Sequence, residues 1–390
     1  MSQTQVYLDY NATTPMDPRV LEAMLPFLQA DHVYGNPGRN HWAGAPAKQA
    51  IIKASEQVAQ LINAEPDEIV FTSGGTESVN LAIKGISLPF FKTTGRRHVI
   101  TSQIEHPASL MTCRYLGQYF GAKVDEIAVD SNGTIDVGAV RTATAPNTGL
   151  INIMHASHEI GTLQPCEGIA DIAREMNVPY HIDAVCSVGK NVVDVKKLRC
   201  DLLSLSGHKF YAPKGVGAVY VNRRVRDGWP GETMEEEFQP LLHGLMPEGV
   251  YRPGTPNVAA IVGMGKAAEI AYGWNTAANR ASLAEKRDYL WAGLSEAFGN
   301  TVRQNAHQDP DLRSPNCLNV SFAGFDGDSL LARMPDMAAS SGPKTEAVVR
   351  ATGADLQTAK GAIRLSLGKH TTIDELDEAV RQFRSAVGRP

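Results

Sequence analysis

Apolar positions recur along the chain with two periods. Ala47, Ile51, Ala54, Val58 and Leu61 step by four and three residues. That spacing puts them on one helix face and predicts an amphipathic helix over roughly 44–63. After it, EIVFTSGGTES reads as a short apolar strand, a glycine pair and a helix entry. The rhythm then repeats. RHVITSQIEH is a strand before a helix from about Pro107, and GLINIMHASHE is a strand before a helix at about 169–176. PYHIDAV, DLLSLSGHK and GVGAVYVN are further short apolar runs. Short strands alternating with helices predict an α/β fold, a mostly parallel sheet covered by helices on both faces. Past Pro256 the pattern becomes a helical stretch over roughly 257–298, strands near 319–322 and 362–367, and a closing helix from Ile373. The expected division is a large α/β domain over 1–256, with segment 1–20 contributing to its site, and a smaller α+β domain over 257–390.

Composition narrows the function classes. The 390 residues are 43% hydrophobic and 20% charged, enough to bury a sizeable core without disulfides or a structural metal. A formal charge of −5 with no long basic run argues against nucleic-acid binding. The five cysteines (Cys113, Cys166, Cys186, Cys200 and Cys317) are odd in number, scattered and form no CxxC pair. A disulfide framework or zinc knuckle is not expected, which fits a reducing compartment. MSQTQVYLDY lacks the basic and apolar stretches of a signal peptide, and no apolar run approaches a membrane span. The expectation is a cytoplasmic protein.

The polar residues that interrupt the pattern lie at the carboxyl ends of the predicted strands, where ligand crevices form in such sheets. Lys209, in SGHK, ends an apolar strand beside His208 and ahead of a glycine-rich turn, a setting that desolvates an amine toward nucleophilic use. Taken alone, a surface lysine is the plainer reading. Asp183, in HIDAV, ends the preceding strand; a carboxylate one strand–helix–strand step before such a lysine suits pyridoxal phosphate (PLP), whose ring nitrogen needs an anionic partner. Gly75 and Thr76 open a helix directly after a strand, where backbone N–H groups and the helix dipole favour a phosphate. His106, in IEHPAS, fits stacking on a cofactor ring, or a satisfied core histidine. No His, Cys, Asp or Glu cluster shows metal-ligand spacing, so no metal is expected.

Taken in order, YLDYNATTP, GNPGRNH, FTSGGTES, EHPAS, HEIGTLQP, HIDAVCSVGK, SLSGHKFYAPKGVGAVYV, YRPGTPNVAAIVGMGKAAE and IRLSLGKHTT resemble the class V aminotransferase family of fold-type I PLP enzymes. Within it they resemble the cysteine desulfurase and selenocysteine lyase branch. The resemblance implies that Lys209 holds PLP as a Schiff base, Asp183 pairs its ring nitrogen and His106 stacks on the ring. Gly75, Thr76, Ser206 and His208 would hold the phosphate, with Thr255 reaching it from the neighbouring subunit of a homodimer. Asn11 and Arg364 would hold the carboxylate of a small amino-acid substrate, a task that suits a forked guanidinium.

Three departures bear on the reaction. Desulfurases of this branch carry a mobile SSG-x-A-C loop whose cysteine takes the sulfur. Here the text is Ala339-Ser340-Ser341-Gly342-Pro343-Lys344-Thr345, and no cysteine follows Cys317. His158 stands where the family usually has Asn, and Cys186 where it usually has Gln. His158 reads as a proton donor near the cofactor's phenolic oxygen or as a filler, and Cys186 as a space-filler or a substitute thiol. The expected function is a PLP-dependent lyase cleaving the Cβ–heteroatom bond of a cysteine-like amino acid. The alternatives are another PLP reaction on a different amino acid, and a non-catalytic paralogue.

Overall fold

The computed structural model describes residues 5–29, 32–227, 229, 238–244, 251–307 and 309–388, so residues 1–4 of the N-terminal segment lie outside it. Its centre is a seven-stranded sheet in the order Ile69–Thr72, Gly217–Val221, Leu202–Ser206, Tyr180–Asp183, Thr148–Met154, His98–Ser102, Lys123–Ile127. Gly217–Val221 pairs antiparallel with both neighbours, and the other pairings are parallel. Six strands therefore point the same way and deliver their carboxyl ends to one edge.

The apolar runs are continuous because both faces are covered. Leu150, Leu202 and Val219 pack with Val79, Ile83 and Leu116 of helices Gly75–Thr93 and Pro107–Phe120. Ile151, Ile153 and Leu203, from alternate positions, face the opposite cluster with Val58 and Ile62 of helix Ala45–Ile62 and Ile169 of helix Cys166–Glu175. The strand at 123–127 gave no apolar signal, because an edge strand carrying Lys123, Asp125 and Glu126 is not buried on both sides.

A second core forms around a three-stranded antiparallel sheet of Val302–Gln304, Cys317–Phe322 and Ala362–Ser366, covered by helices Ala277–Phe298 and Ile373–Val387. The N-terminal strand Val6–Tyr7 joins this core, pairing parallel with Met337–Ala338. The helical stretch expected over 257–298 is two helices, Val258–Trp274 and Ala277–Phe298. The break falls where the Thr276 side chain accepts from the Asn279 N–H, starting a new helix. The first of the two packs with the large sheet's core through Ile261, Met264 and Ala268.

Helices Ala45–Ile62 and Val258–Trp274 approach closely at Gly265, where an added Cβ would lie 2.7 Å from Ala54 Cα and Cβ. Glycine normally weakens a helix; here it admits the neighbouring backbone. Gly265→Leu is expected to destabilise the fold by about 1–3 kcal/mol, read as a lowered denaturant midpoint with an unchanged slope. An unchanged midpoint would show that the helices separate freely.

Candidate active site

Five of the like-directed strands end at the same cavity. Thr72 leads to Gly75, Ser102 to His106, Met154 to His158, Ser206 to Lys209, and Asp183 is itself a strand end. The cavity encloses about 340 Å³, the size of a cofactor and small-substrate site. Gly75, Thr76, His106, His158, Asp183, Cys186, Ser206, His208, Lys209, Asn11 and Arg364 all line it. Thr255 does not; it is exposed, on the segment preceding helix Val258–Trp274.

Helix Gly75–Thr93 begins at the cavity, entered through Gly74 at φ +151°, which a side chain would strain. A Cβ on Gly75 would lie 3.1 Å from Val185 Cγ2 and 3.2 Å from Ser206 Cβ, so the helix start stays open to an anion. Ser206 Oγ is buried without a partner, and His208 Nδ1 lies 3.1 Å from Thr13 Oγ1. Lys209 Nζ donates to the carbonyls of Ala12, at 3.0 Å, and Asn11. Asp183 is buried and accepts from the Val185 N–H at 3.0 Å and the Ser109 hydroxyl at 3.4 Å. Burial raises its carboxyl above the usual range against those bonds and the nearby Lys209.

Two imidazoles line the same cavity. His106 caps helix Pro107–Phe120, its Nδ1 accepting from the Ala108 N–H at 3.1 Å, and its ring meets that of His158 edge-on at 5.1 Å. Burial, with Lys209, Lys344 and Arg364 nearby, lowers His106 to about 4. His158 is lowered well below the usual imidazole range, first by burial and then by His106 and Arg364. Among the described residues neither ring nitrogen of His158 makes a hydrogen bond, and Nε2 lies 3.5 Å from Glu159 Oε1. Cys186 is half-buried, its thiol 4.0 Å from the Asn11 carbonyl.

Arg364 comes from the smaller core, on Ala362–Ser366, and is buried. One terminal nitrogen donates to the His158 carbonyl at 3.1 Å and Glu159 Oε1 at 3.0 Å; the other donates to Asp9 Oδ1 at 2.9 Å and Ser340 Oγ at 2.8 Å. All four terminal hydrogens are thus engaged, and Nε–H is left without an acceptor. Burial pulls the guanidinium's pKa down, but the Glu159 and Asp9 carboxylates outweigh it. Asn11 is equally committed: Nδ2 donates to the His158 carbonyl at 3.3 Å, and Oδ1 accepts from Lys190 at 3.1 Å and Asn316 at 3.0 Å.

Sequence reasoning passed over this supporting set. Glu159 bridges Arg364 and Thr345, whose hydroxyl donates to Glu159 Oε2 at 2.8 Å. Lys190 is a buried lysine, lowered by burial to about 8. The only signal for either was adjacency, Glu159 to His158 and Lys190 to the HIDAV segment. The segment read as a loop at 339–345 contains, from Pro343, the first turn of helix Pro343–Ala351, with Thr345 buried.

A class-V aminotransferase family model matches residues 6–379. The chain belongs to the class-V aminotransferase family. A cysteine desulfurase IscS of Serratia proteamaculans is 42% identical over 98% of this chain and 93% of its own length, and one from Vibrio vulnificus is 42% identical with the same coverage. Among solved structures, a NifS-like protein superposes with a TM-score of 0.87 at 35% identity, covering 98% of this chain and 99% of its own. SspA in complex with cysteine gives 0.78 at 34%, covering 94% and 100%. This class-V aminotransferase is therefore a PLP-dependent enzyme of the cysteine desulfurase-like type with the fold-type I architecture. The cavity fits the cofactor. Among the described residues, a Ser206 hydroxyl without a hydrogen bond and an open helix start suit a phosphate, a buried carboxylate suits the ring nitrogen, and a histidine whose ring makes no hydrogen bond suits a ring oxygen. Among the described residues no group of three His, Cys, Asp or Glu is placed to hold a metal ion, and no helix is long and apolar enough to cross a membrane.

Behind Asp183 lies Glu105, buried, its Oε1 accepting from the Ser102 hydroxyl at 2.7 Å and the Met154 N–H at 2.9 Å. Burial pushes its carboxyl from 4.5 up to about 8, against those two hydrogen bonds and with a further push from Asp183. The unfolded chain gives up this proton above about 4.5 while the folded protein keeps it, so the folded state binds more protons between 4.5 and 8. This group's contribution to stability therefore falls as pH rises through that window. Glu105→Gln is expected to remove that decline, seen as denaturant midpoints at pH 6 and pH 9 that lie closer together than in the wild type. Equal pH slopes in the two proteins would mean that Glu105 ionises normally.

Proposed function

We propose that this enzyme cleaves the Cβ–S or Cβ–Se bond of a cysteine-like L-amino acid, as a cytoplasmic homodimer. The observation that carries the reading is the convergence of Lys209, Asp183, His106, His158 and Arg364 on one cavity. All five cysteines are free, in keeping with a reducing compartment.

When bound, PLP supplies an electron sink that stabilises negative charge developing at the substrate's Cα. Lys209 would hold it through its amine and, once released, carry the proton at Cα; the Asn11 and Ala12 carbonyls keep that amine aimed at the cavity. Asp183 would hold the proton on the ring nitrogen, and His106 would cover the ring face. Gly75, Thr76, Ser206 and His208 would take the phosphate, with Thr255 of a second copy completing it. Buried and neutral, His158 offers a ring N–H to the phenolic oxygen. Asn11 and Arg364 would position the substrate carboxylate. With four of its hydrogens engaged, Arg364 offers its free Nε–H, or exchanges Ser340 for the substrate. Cys186 lines the same wall and shapes the space for the side chain.

Incubation with L-cysteine, L-selenocysteine or L-cysteine sulfinate is expected to release alanine. Pyruvate with ammonia would instead mean β-elimination, and no product from any of them would overturn the reading. Lys209→Ala is expected to abolish the long-wavelength absorbance of the bound cofactor and to lower turnover by at least about 10²-fold. Retained activity would remove Lys209 from the chemistry.

A further inference from the structure

A second cavity, of about 720 Å³, shares no lining residue with the first. It opens between the start of helix Cys166–Glu175, the first turns of helix Ala277–Phe298 and the segment at 310–315. Two guanidinium groups line it. Arg313 is only 9% exposed, yet among the described residues its side chain makes a single hydrogen bond, to Asp288 Oδ1 at 3.2 Å, and its Nε–H has no acceptor. Arg280 is held by nearby backbone and side chain. One terminal nitrogen donates to the Asn275 carbonyl at 2.6 Å and to Asn275 Oδ1 at 3.3 Å. Among the described residues Arg280 pairs with no carboxylate.

The charges at this wall do not balance. Arg287, wholly buried, donates to both Asp288 oxygens at 2.8 and 3.0 Å, and Arg313 shares the first of them. One carboxylate therefore serves two buried arginines, and it is itself 47% exposed, where solvent weakens an ion pair. Burial, and then Arg287, pulls the Arg313 guanidinium below its usual pKa. Glu167 and Asp311 also line the cavity; both are exposed, and among the described residues neither forms an ion pair with Arg280 or Arg313. A buried cation short of counter-charge is unfavourable until an anion reaches it.

The helix start adds to the same preference. Helix Cys166–Glu175 begins after Pro165 with no side chain capping it, and Cys166, Glu167 and Gly168 of its first turn line the cavity. Backbone N–H groups at such a start, with the helix dipole behind them, favour an anion. We propose that this cavity binds the phosphate group of a small phosphorylated metabolite, with Arg313 and Arg280 as its counter-charges and the start of helix Cys166–Glu175 as its seat. A guanidinium fork matches paired phosphate oxygens. Small-molecule sites run from about 300 to 1,000 Å³, so the space takes a whole metabolite and not the ion alone. The site is separate from the lyase cavity and does not depend on the reaction assigned to it.

The test is calorimetric titration of the purified holoenzyme with inorganic pyrophosphate, in a buffer free of phosphate and sulfate. The bound cofactor fills the phosphate position of the active site and leaves the second cavity open. Saturable binding of one pyrophosphate per chain is expected. Arg280→Gln and Arg313→Gln should each weaken it about tenfold, and Arg280→Lys should weaken it less. Arg280 bonds only Asn275, so Arg280→Gln keeps the fold and decides the matter if the buried variant misfolds. Absence of saturable binding, or binding undiminished in Arg280→Gln, would overturn the proposal. So would binding that appears only once the cofactor is removed, which would place the anion in the active site.

Discussion

The buried guanidinium of Arg364 is the constraint on which the rest of the site depends. A charge of this kind is tolerated in an interior only when it is paired and its hydrogens are satisfied. Here the four partners come from three places in the chain: Asp9 near the N-terminus, the His158 carbonyl and Glu159 after a strand of the large sheet, and Ser340 before a late helix. Satisfying one side chain therefore ties the large sheet, the N-terminal segment and the smaller sheet into one cavity wall. Thr345 and Asn11 extend the network, the first through Glu159 and the second through the same His158 carbonyl.

Burial also decides how the cavity's titrating groups behave. His106, His158 and His208 are all held below the ordinary imidazole range, with desolvation the leading cause and the lysines and arginine at the site adding to it. They are neutral at physiological pH and act as hydrogen-bonding and packing groups. The positive charge of the cavity rests with its lysines and Arg364, and Arg364 is paired with both Asp9 and Glu159. That partition sets neutral imidazoles beside charged lysines in one cavity.

Much of the architecture was legible because its physics is local. The helix at 45–62 shows in the spacing of Ala47, Ala54 and Val58, and the strands before Gly75, His106, His158 and Lys209 show as short apolar runs. Strand-end positions then marked the residues lining the cavity. What stayed hidden was non-local. The edge strand at 123–127 carries charges because one side is open, and the break at Asn275–Thr276 rests on a single cap inside an otherwise continuous helical pattern. Thr255 was expected at a phosphate through a second copy of the chain, and in the single chain it lies exposed outside the cavity.

By itself the sequence determined the alternation of strands and helices, the burial of the sheet on both faces and the identity of the groups at the strand ends. Periodicity and turn chemistry act over a few residues and survive in a linear reading. Only the tertiary structure decided that Arg364 spends its terminal hydrogens on Asp9, Glu159, Ser340 and a carbonyl. It also decided that Asn11 is held by Lys190 and Asn316. The physical reason is that charge balance is a sum over neighbours in space. Residues more than 350 positions apart, such as Asp9 and Arg364, enter that sum only once the chain has folded.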